Sequence, residues 1–229
     1  MTASDASLQM ADQGSGPLLQ RDYWAVLSTP DPGPRAVARS LFERFCALAP
    51  PDLLRFIRED AREGPLAEGE FLTVEIERAG VYGVQVVDRS DLSLTLATEK
   101  GHPEAGRITF GVYPNANGET VVHIRSRARA GSPLFALGFP AAGKALQTTA
   151  WTGFLDRLAA AAGPGMKDAI HVETREVQEK PEDRQTRDVP PTFRAVDDGA
   201  EDRGIEYEGP SSSASPTEGA ASSRIRPRG

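Results

Sequence analysis

Hydrophobic and polar residues change their period three times along this chain, and each change marks a new kind of element. From Leu18 to Leu27 the run LLQRDYWAVL is rich in aromatic and branched residues, which predicts a first strand. The breaker Thr29–Pro34 follows, and then Val37, Leu41, Phe45 and Leu48 recur at helical spacing on one face. Pro50-Pro51-Asp52 ends that helix and is expected to open a short second one carrying Leu53, Leu54 and Ile57, packed beside the first.

Beyond the loop Gly64–Gly69 the pattern becomes strand-like. Leu72, Val74 and Ile76 alternate with Thr73, Glu75 and Glu77. Ala79-Gly80 turns the chain into Tyr82, Val84 and Val86, and Asp88–Asp91 turns it again into Leu92, Leu94 and Leu96. Ile108, Phe110 and Val112 form the apolar side of the next strand. Past the hairpin turn Pro114–Gly118, Val122, Ile124 and Ser126 oppose His123, Arg125 and Arg127 on the last. Short connections at this rhythm imply an antiparallel sheet with one buried face.

Ser132-Pro133 reads as a helix cap followed by the first helical residue. Pro140 restarts the helix, and Gly163-Pro164-Gly165 ends it. Leu146, Ala150, Phe154 and Leu158 make its apolar stripe, widened by Trp151 and Leu155. The expected organisation is a disordered leader over residues 1–16, one folded domain over 17–163, and an acidic, Pro- and Ser-rich disordered tail over 164–229. In that tail Ile170, Val172, Val177 and Phe193 are too few to build a second core.

Charge and composition exclude several classes. The chain of 229 residues carries a formal charge of −7. From Gly163 to Gly229 there are 10 Lys and Arg against 14 Asp and Glu, which leaves −3 on the body. Neither part has the basic balance that a nucleic-acid surface requires, so no nucleic-acid partner is expected. Cys46 is the single cysteine, which rules out an internal disulfide or a cysteine metal cluster. The first sixteen residues lack a basic start and an apolar core, and no run approaches the roughly 18 apolar residues of a membrane span. A cytoplasmic location is the expectation.

The order strand, two helices, five strands and long helix suits an α+β domain in which a curved antiparallel sheet wraps around its last helix. It resembles the helix-grip fold of the START and birch-pollen-allergen (SRPBCC) superfamily, which usually has one strand more. Residues 64–69 or 98–107 are the places expected to hold it. A narrower resemblance rests on Gly101, His102, Pro103, Glu104 and Gly106 and on the surrounding residues 65–160. These are similar to an uncharacterised START-like family with a GHPE-x-G loop, a strand ending in a Ser- and Arg-rich turn, and a closing helix. Arg107-Ile108 depart from that family, whose members tend to have acidic residues there. The resemblance implies a fold and assigns no activity.

His102 and Glu104 are the acid–base candidates, because a carboxylate near an imidazole can set its tautomer and its pKa. The competing and preferred reading is a structural turn at the sheet rim, with His102 bonded to backbone and Glu104 solvated. His102, His123 and His171 show no metal-ligand spacing, and no cofactor motif occurs. His123, Arg125, Arg127 and Arg129 could form an anion-binding stripe, but a solvated outer face paired with Glu75 or Glu77 is preferred. Small residues on the closing helix, among them Ala141, Gly143, Ala145 and Ala150, allow either close packing or a cavity. Such a cavity would be lined by Val84, Leu94, Phe110 and Trp151, with Tyr82 and Thr149 as polar handles.

The leading expectation is non-enzymatic binding of a hydrophobic or amphipathic small molecule in that cavity. One alternative is a cyclase- or hydrolase-type enzyme using His102 or Tyr82 as acid or base. The other is an interaction protein that binds a protein partner through its acidic tail.

Overall fold

The computed structural model describes residues 8–178, apart from 29, 31, 59–61, 116, 139 and 164, and only the backbone of 136–138 and 140–144. After a 3-10 turn at Ala11–Gln13 the elements are β1 (Ser15–Val26), α1 (Pro34–Leu48), β2 (Leu54–Arg58), β3 (Phe71–Ile76) and β4 (Gly80–Arg89). They continue with β5 (Ser93–Thr98), β6 (Glu104–Pro114), β7 (Thr120–Ala130), α2 (Pro133–Gly138), α3 (Pro140–Ala162) and β8 (His171–Val177). The strands form one antiparallel sheet in the order β2-β3-β4-β5-β6-β7-β1-β8. With α1 and α3 packed on one face, this is the expected α+β helix-grip arrangement.

Alternation along the strands decides what the helices meet. Tyr23, Leu94, Phe110 and Ile124 point to the helical side, where Phe154 of α3 is fully buried. The ring of Phe154 lies 5.0 Å from Phe110 and 5.4 Å from Phe45 of α1, so one aromatic cluster ties both helices to the sheet. Ala150, Leu155 and Leu158 complete the buried stripe of α3. Among the described residues no helix is long and apolar enough to cross a membrane.

Three expectations about the extent of the elements are corrected. The short second helix is instead strand β2, paired with β3 from Leu54↔Ile76 to Arg58↔Leu72. Five residues are too few to separate the two periods, and the buried positions turn out to be Leu54 and Phe56, two apart. Secondly, the expected leader is ordered from Leu8 onward. The Gln9 N–H donates to the Thr98 carbonyl, while the Gln9 side chain donates to the Gly131 carbonyl and accepts from the Gly101 N–H. One side chain thus satisfies backbone groups in two loops, which small polar composition does not reveal.

The third correction concerns the expected tail. Residues 171–177 form β8 along β1, from Leu18↔Val177 to Trp24↔His171. Adding a strand to an open sheet edge requires main-chain hydrogen bonds and no core of its own, which is why the scarcity of apolar residues was misleading. The two strands beyond the six expected are therefore β2 and β8, and neither lies at 64–69 or 98–107. The remainder of the expected leader and tail, residues 1–7 and 179–229, lies outside the described residues.

The outer stripe also differs from expectation. His123 and Arg125 are buried and contact Asp22 of β1, while Nε of Arg127 donates to Oε1 of Gln20 at 2.7 Å. Glu75 and Glu77 pair elsewhere, with Arg55 and Arg78. The register Gln20↔Arg127 and Asp22↔Arg125 places acceptors of β1 directly opposite the stripe, and long-range register is not visible in a local pattern.

Candidate functional site

Between the sheet and α3 lies a cavity of about 90 Å³. About 10–15 Å³ suffices for one water, and an apolar cavity of about 150 Å³ takes benzene, so the space is on the scale of a small ligand. Its sheet wall is apolar: Leu54 and Phe56 of β2, Val74 of β3, Val84 of β4, Leu96 of β5 and Ile108 of β6. Its helical wall is Leu146, Gln147, Ala150 and Trp151 of α3. Ala150 adds only a methyl group to this wall.

Polar groups gather at one end. Glu104, the first residue of β6, accepts a 2.9 Å hydrogen bond from Nη1 of Arg21 on one carboxylate oxygen. The other oxygen accepts a 2.6 Å hydrogen bond from Nε2 of Gln147. Arg21 in turn is the direct cross-strand neighbour of Ser126. Ser126 is buried, and its Oγ and the Oε1 of Gln147 have no hydrogen-bond partner among the described residues. Both residues line the cavity.

His102 stands at the same end. Nδ1 lies 3.0 Å from both the backbone N–H of Glu104, from which it accepts in one tautomer, and the Glu104 carbonyl, to which it donates in the other. Burial pushes the imidazole pKa below its ordinary value, and the negative charge of Glu104 opposes that shift only in part. The ring is therefore neutral at pH 7. The loop that carries it is a tight turn: Gly101 has φ +92°, and Gly106 has φ +152° where a side chain would strike the Arg127 carbonyl.

The expected lining is met in part. Val84 and Trp151 line the cavity. Leu94 and Phe110 are fully buried in the core instead, with Phe110 edge-on to Trp151 at 5.6 Å. Tyr82 stacks its edge on His102 at 5.2 Å, and its hydroxyl donates to the Ala79 carbonyl. Thr149 is exposed, with Oγ1 donating 3.0 Å to the Ala145 carbonyl one turn back, so it offers the cavity no handle. His102 and Glu104 do reach the cavity wall, against the expectation of a rim turn, and Glu104 is tied down by two partners where solvation was expected.

Sequence reasoning missed Arg21, Ser126 and Gln147. A signal existed for Ser126, a polar residue in register with Val122 and Ile124 on the apolar face. Gln147 beside Leu146 lay at the margin of the helical stripe. Among the described residues no three His, Cys, Asp or Glu side chains group as a metal site.

No family model matches the chain, and no curated protein matches it. Among solved structures it is similar to a START superfamily protein from Mycobacterium smegmatis, with 14% identity, a TM-score of 0.41, and 64% of this chain and 97% of that one covered. It is also similar to a conserved protein from Geobacillus kaustophilus, at 12% identity and TM-score 0.44, over 67% of this chain and 98% of the other. The di-domain ARO/CYC StfQ from the steffimycin biosynthetic pathway is similar at 15% identity and TM-score 0.45, over 63% of this chain and 51% of that chain.

Proposed function

We propose that this protein binds a hydrophobic or amphipathic small molecule in the cavity between its sheet and α3, without transforming it. The observation that carries this reading is the composition of that wall. Apolar side chains from several strands and from α3 surround a space larger than a water site, with a few convergent polar atoms at one end. We also propose that the chain belongs with the GHPE-x-G proteins, a reading supported by the glycine-favouring backbone at Gly101 and Gly106.

A second reading draws on His102. A neutral imidazole at the cavity wall is the candidate proton-transfer group for a cyclase- or hydrolase-type step. Its Nδ1 is already engaged by the Glu104 backbone, and the Glu104 carboxylate is engaged by Arg21 and Gln147. The pair is thus spent on structure, which favours binding over catalysis.

Trp151 reports directly on the site, and Trp24, the other tryptophan, can be replaced by Phe. Titration of that variant with benzene should give a saturable change in Trp151 fluorescence. Ala150→Phe should abolish the change while far-UV circular dichroism keeps its native form. A response that never saturates, or one indifferent to Ala150→Phe, would overturn the reading. Turnover of a bound compound, lost in His102→Ala with binding retained, would establish the enzyme instead.

A further inference from the structure

We infer that the ligand carries a neutral hydroxyl group, which bonds to Ser126 and Gln147 at the polar end of the cavity. This rests on the cavity's being a ligand site and adds the chemical class of what it selects. The argument begins with hydrogen-bond capacity. Nε2 of Gln147 is committed to Glu104, so the amide orientation is fixed and Oε1 remains as a pure acceptor. The Oγ of Ser126 can both donate and accept. Both atoms are buried, both lack a partner among the described residues, and both residues line the same cavity.

A hydroxyl meets both demands, since it donates to Gln147 Oε1 and accepts from Ser126 Oγ. A ketone or ether accepts only and leaves Oε1 without a donor. A carboxylate also only accepts, and it adds a negative charge beside Glu104. An ammonium supplies donors, but it adds a positive charge to a patch where Arg21 already neutralises Glu104 at 2.9 Å. The Arg21–Glu104–Gln147 chain therefore acts as a charge-balanced support. It fixes the direction of Oε1 and disfavours ions of either sign.

The test compares benzene, phenol, anisole, benzoate and benzylammonium by NMR chemical-shift titration of the full chain. Phenol should bind about tenfold or more tightly than benzene and anisole, the ratio expected when a buried polar group is paired in one complex and not in the other. Ser126→Ala and, separately, Gln147→Leu should each bring the phenol-to-benzene ratio toward one. The two variants lie on different elements, so a folding failure in one leaves the other informative. Equal affinity for phenol and benzene would overturn the hydroxyl inference and leave apolar binding standing. Tightest binding by benzoate or benzylammonium would replace it with recognition of an ion. If none of the five binds, the ligand-site reading falls, and this inference with it.

Discussion

Nε2 of His123 lies 2.9 Å from Oδ1 of Asp22, and the hydrogen between them belongs to the imidazole. The other ring nitrogen, Nδ1, accepts from the Tyr113 hydroxyl at 2.9 Å. Asp22 also accepts from Gln20 and Arg125. Burial alone would raise the Asp22 carboxyl, but the His123 hydrogen bond and the Arg125 charge and hydrogen bond outweigh it and hold the group well below the usual carboxylate range. Asp22→Asn keeps the shape and removes the charge. It should cost about 1.5–3 kcal/mol, the worth of hydrogen bonds to a buried charged group, measured by urea denaturation. A loss near zero would mean that the network is not held by the carboxylate.

The same residues set the response to acid. Burial lowers His123 and His102, so near and below the ordinary value of about 6.5 the unfolded chain binds protons that the folded chain refuses. Stability should therefore fall as pH drops through about 6.5. It should fall further below about 4, where the unfolded Asp22 carboxyl protonates and the folded one stays ionised. On the alkaline side burial raises Tyr23, so the unfolded phenol ionises first and stability declines as pH passes about 10. Thermal midpoints between pH 3 and 11 test all three signs, and a flat acid limb would contradict the first two.

The helical contact is tested at α3. Phe154 is fully buried among Phe45, Phe110 and Trp151, and Phe154→Ala should cost about 3–5 kcal/mol in chemical denaturation. Arg157, one turn on, is exposed outside the buried stripe, and Arg157→Ala should cost under about 0.5 kcal/mol. Comparable losses at the two positions would contradict this helical face.

How much of this was legible follows from the range of each signal. Phe154, Val84 and Trp151 came from local periodicity, which the sheet and helix obey. The Asp22–His123 pair is separated by 101 residues in sequence, and its existence depends on β1 lying beside β7, which no local pattern encodes. Glu104 shows the same limit: its neighbours in sequence make a turn, while Arg21 and Gln147 reach it from β1 and α3. β8 was hidden for another reason, since an edge strand is held by backbone and carries little side-chain signature.

Gly101, in the loop before β6, and Gly106, within β6, should respond differently. At Gly101 a Cβ would meet nothing within 4 Å, so Gly101→Ala pays only for its left-handed backbone, about 1–2 kcal/mol. At Gly106 a Cβ would stand 2.2 Å from the Arg127 carbonyl oxygen, in addition to a positive φ. Gly106→Ala should therefore be the more destabilising of the two, beyond the roughly 1–3 kcal/mol of backbone strain alone. Paired denaturation curves decide it, and the reverse order would mean that β6 and β7 separate here at little cost.

The His102 ring gives the last test. With Nδ1 held against the backbone N–H and carbonyl of Glu104, long-range nitrogen–proton NMR at pH 7 should find one neutral tautomer in place of a mixture. Its titration midpoint should fall below about 6.5, because burial disfavours the charged ring. The Glu104 carboxylate works in the opposite direction, favouring the protonated ring. Glu104→Gln keeps the backbone N–H and removes that charge, so it should move the midpoint lower still. A midpoint that rises, or a mixture of the two tautomers, would mean that the imidazole is not seated against Glu104. In that case the His102 ring would be free to turn toward a bound molecule, and the catalytic reading would gain what the binding reading lost.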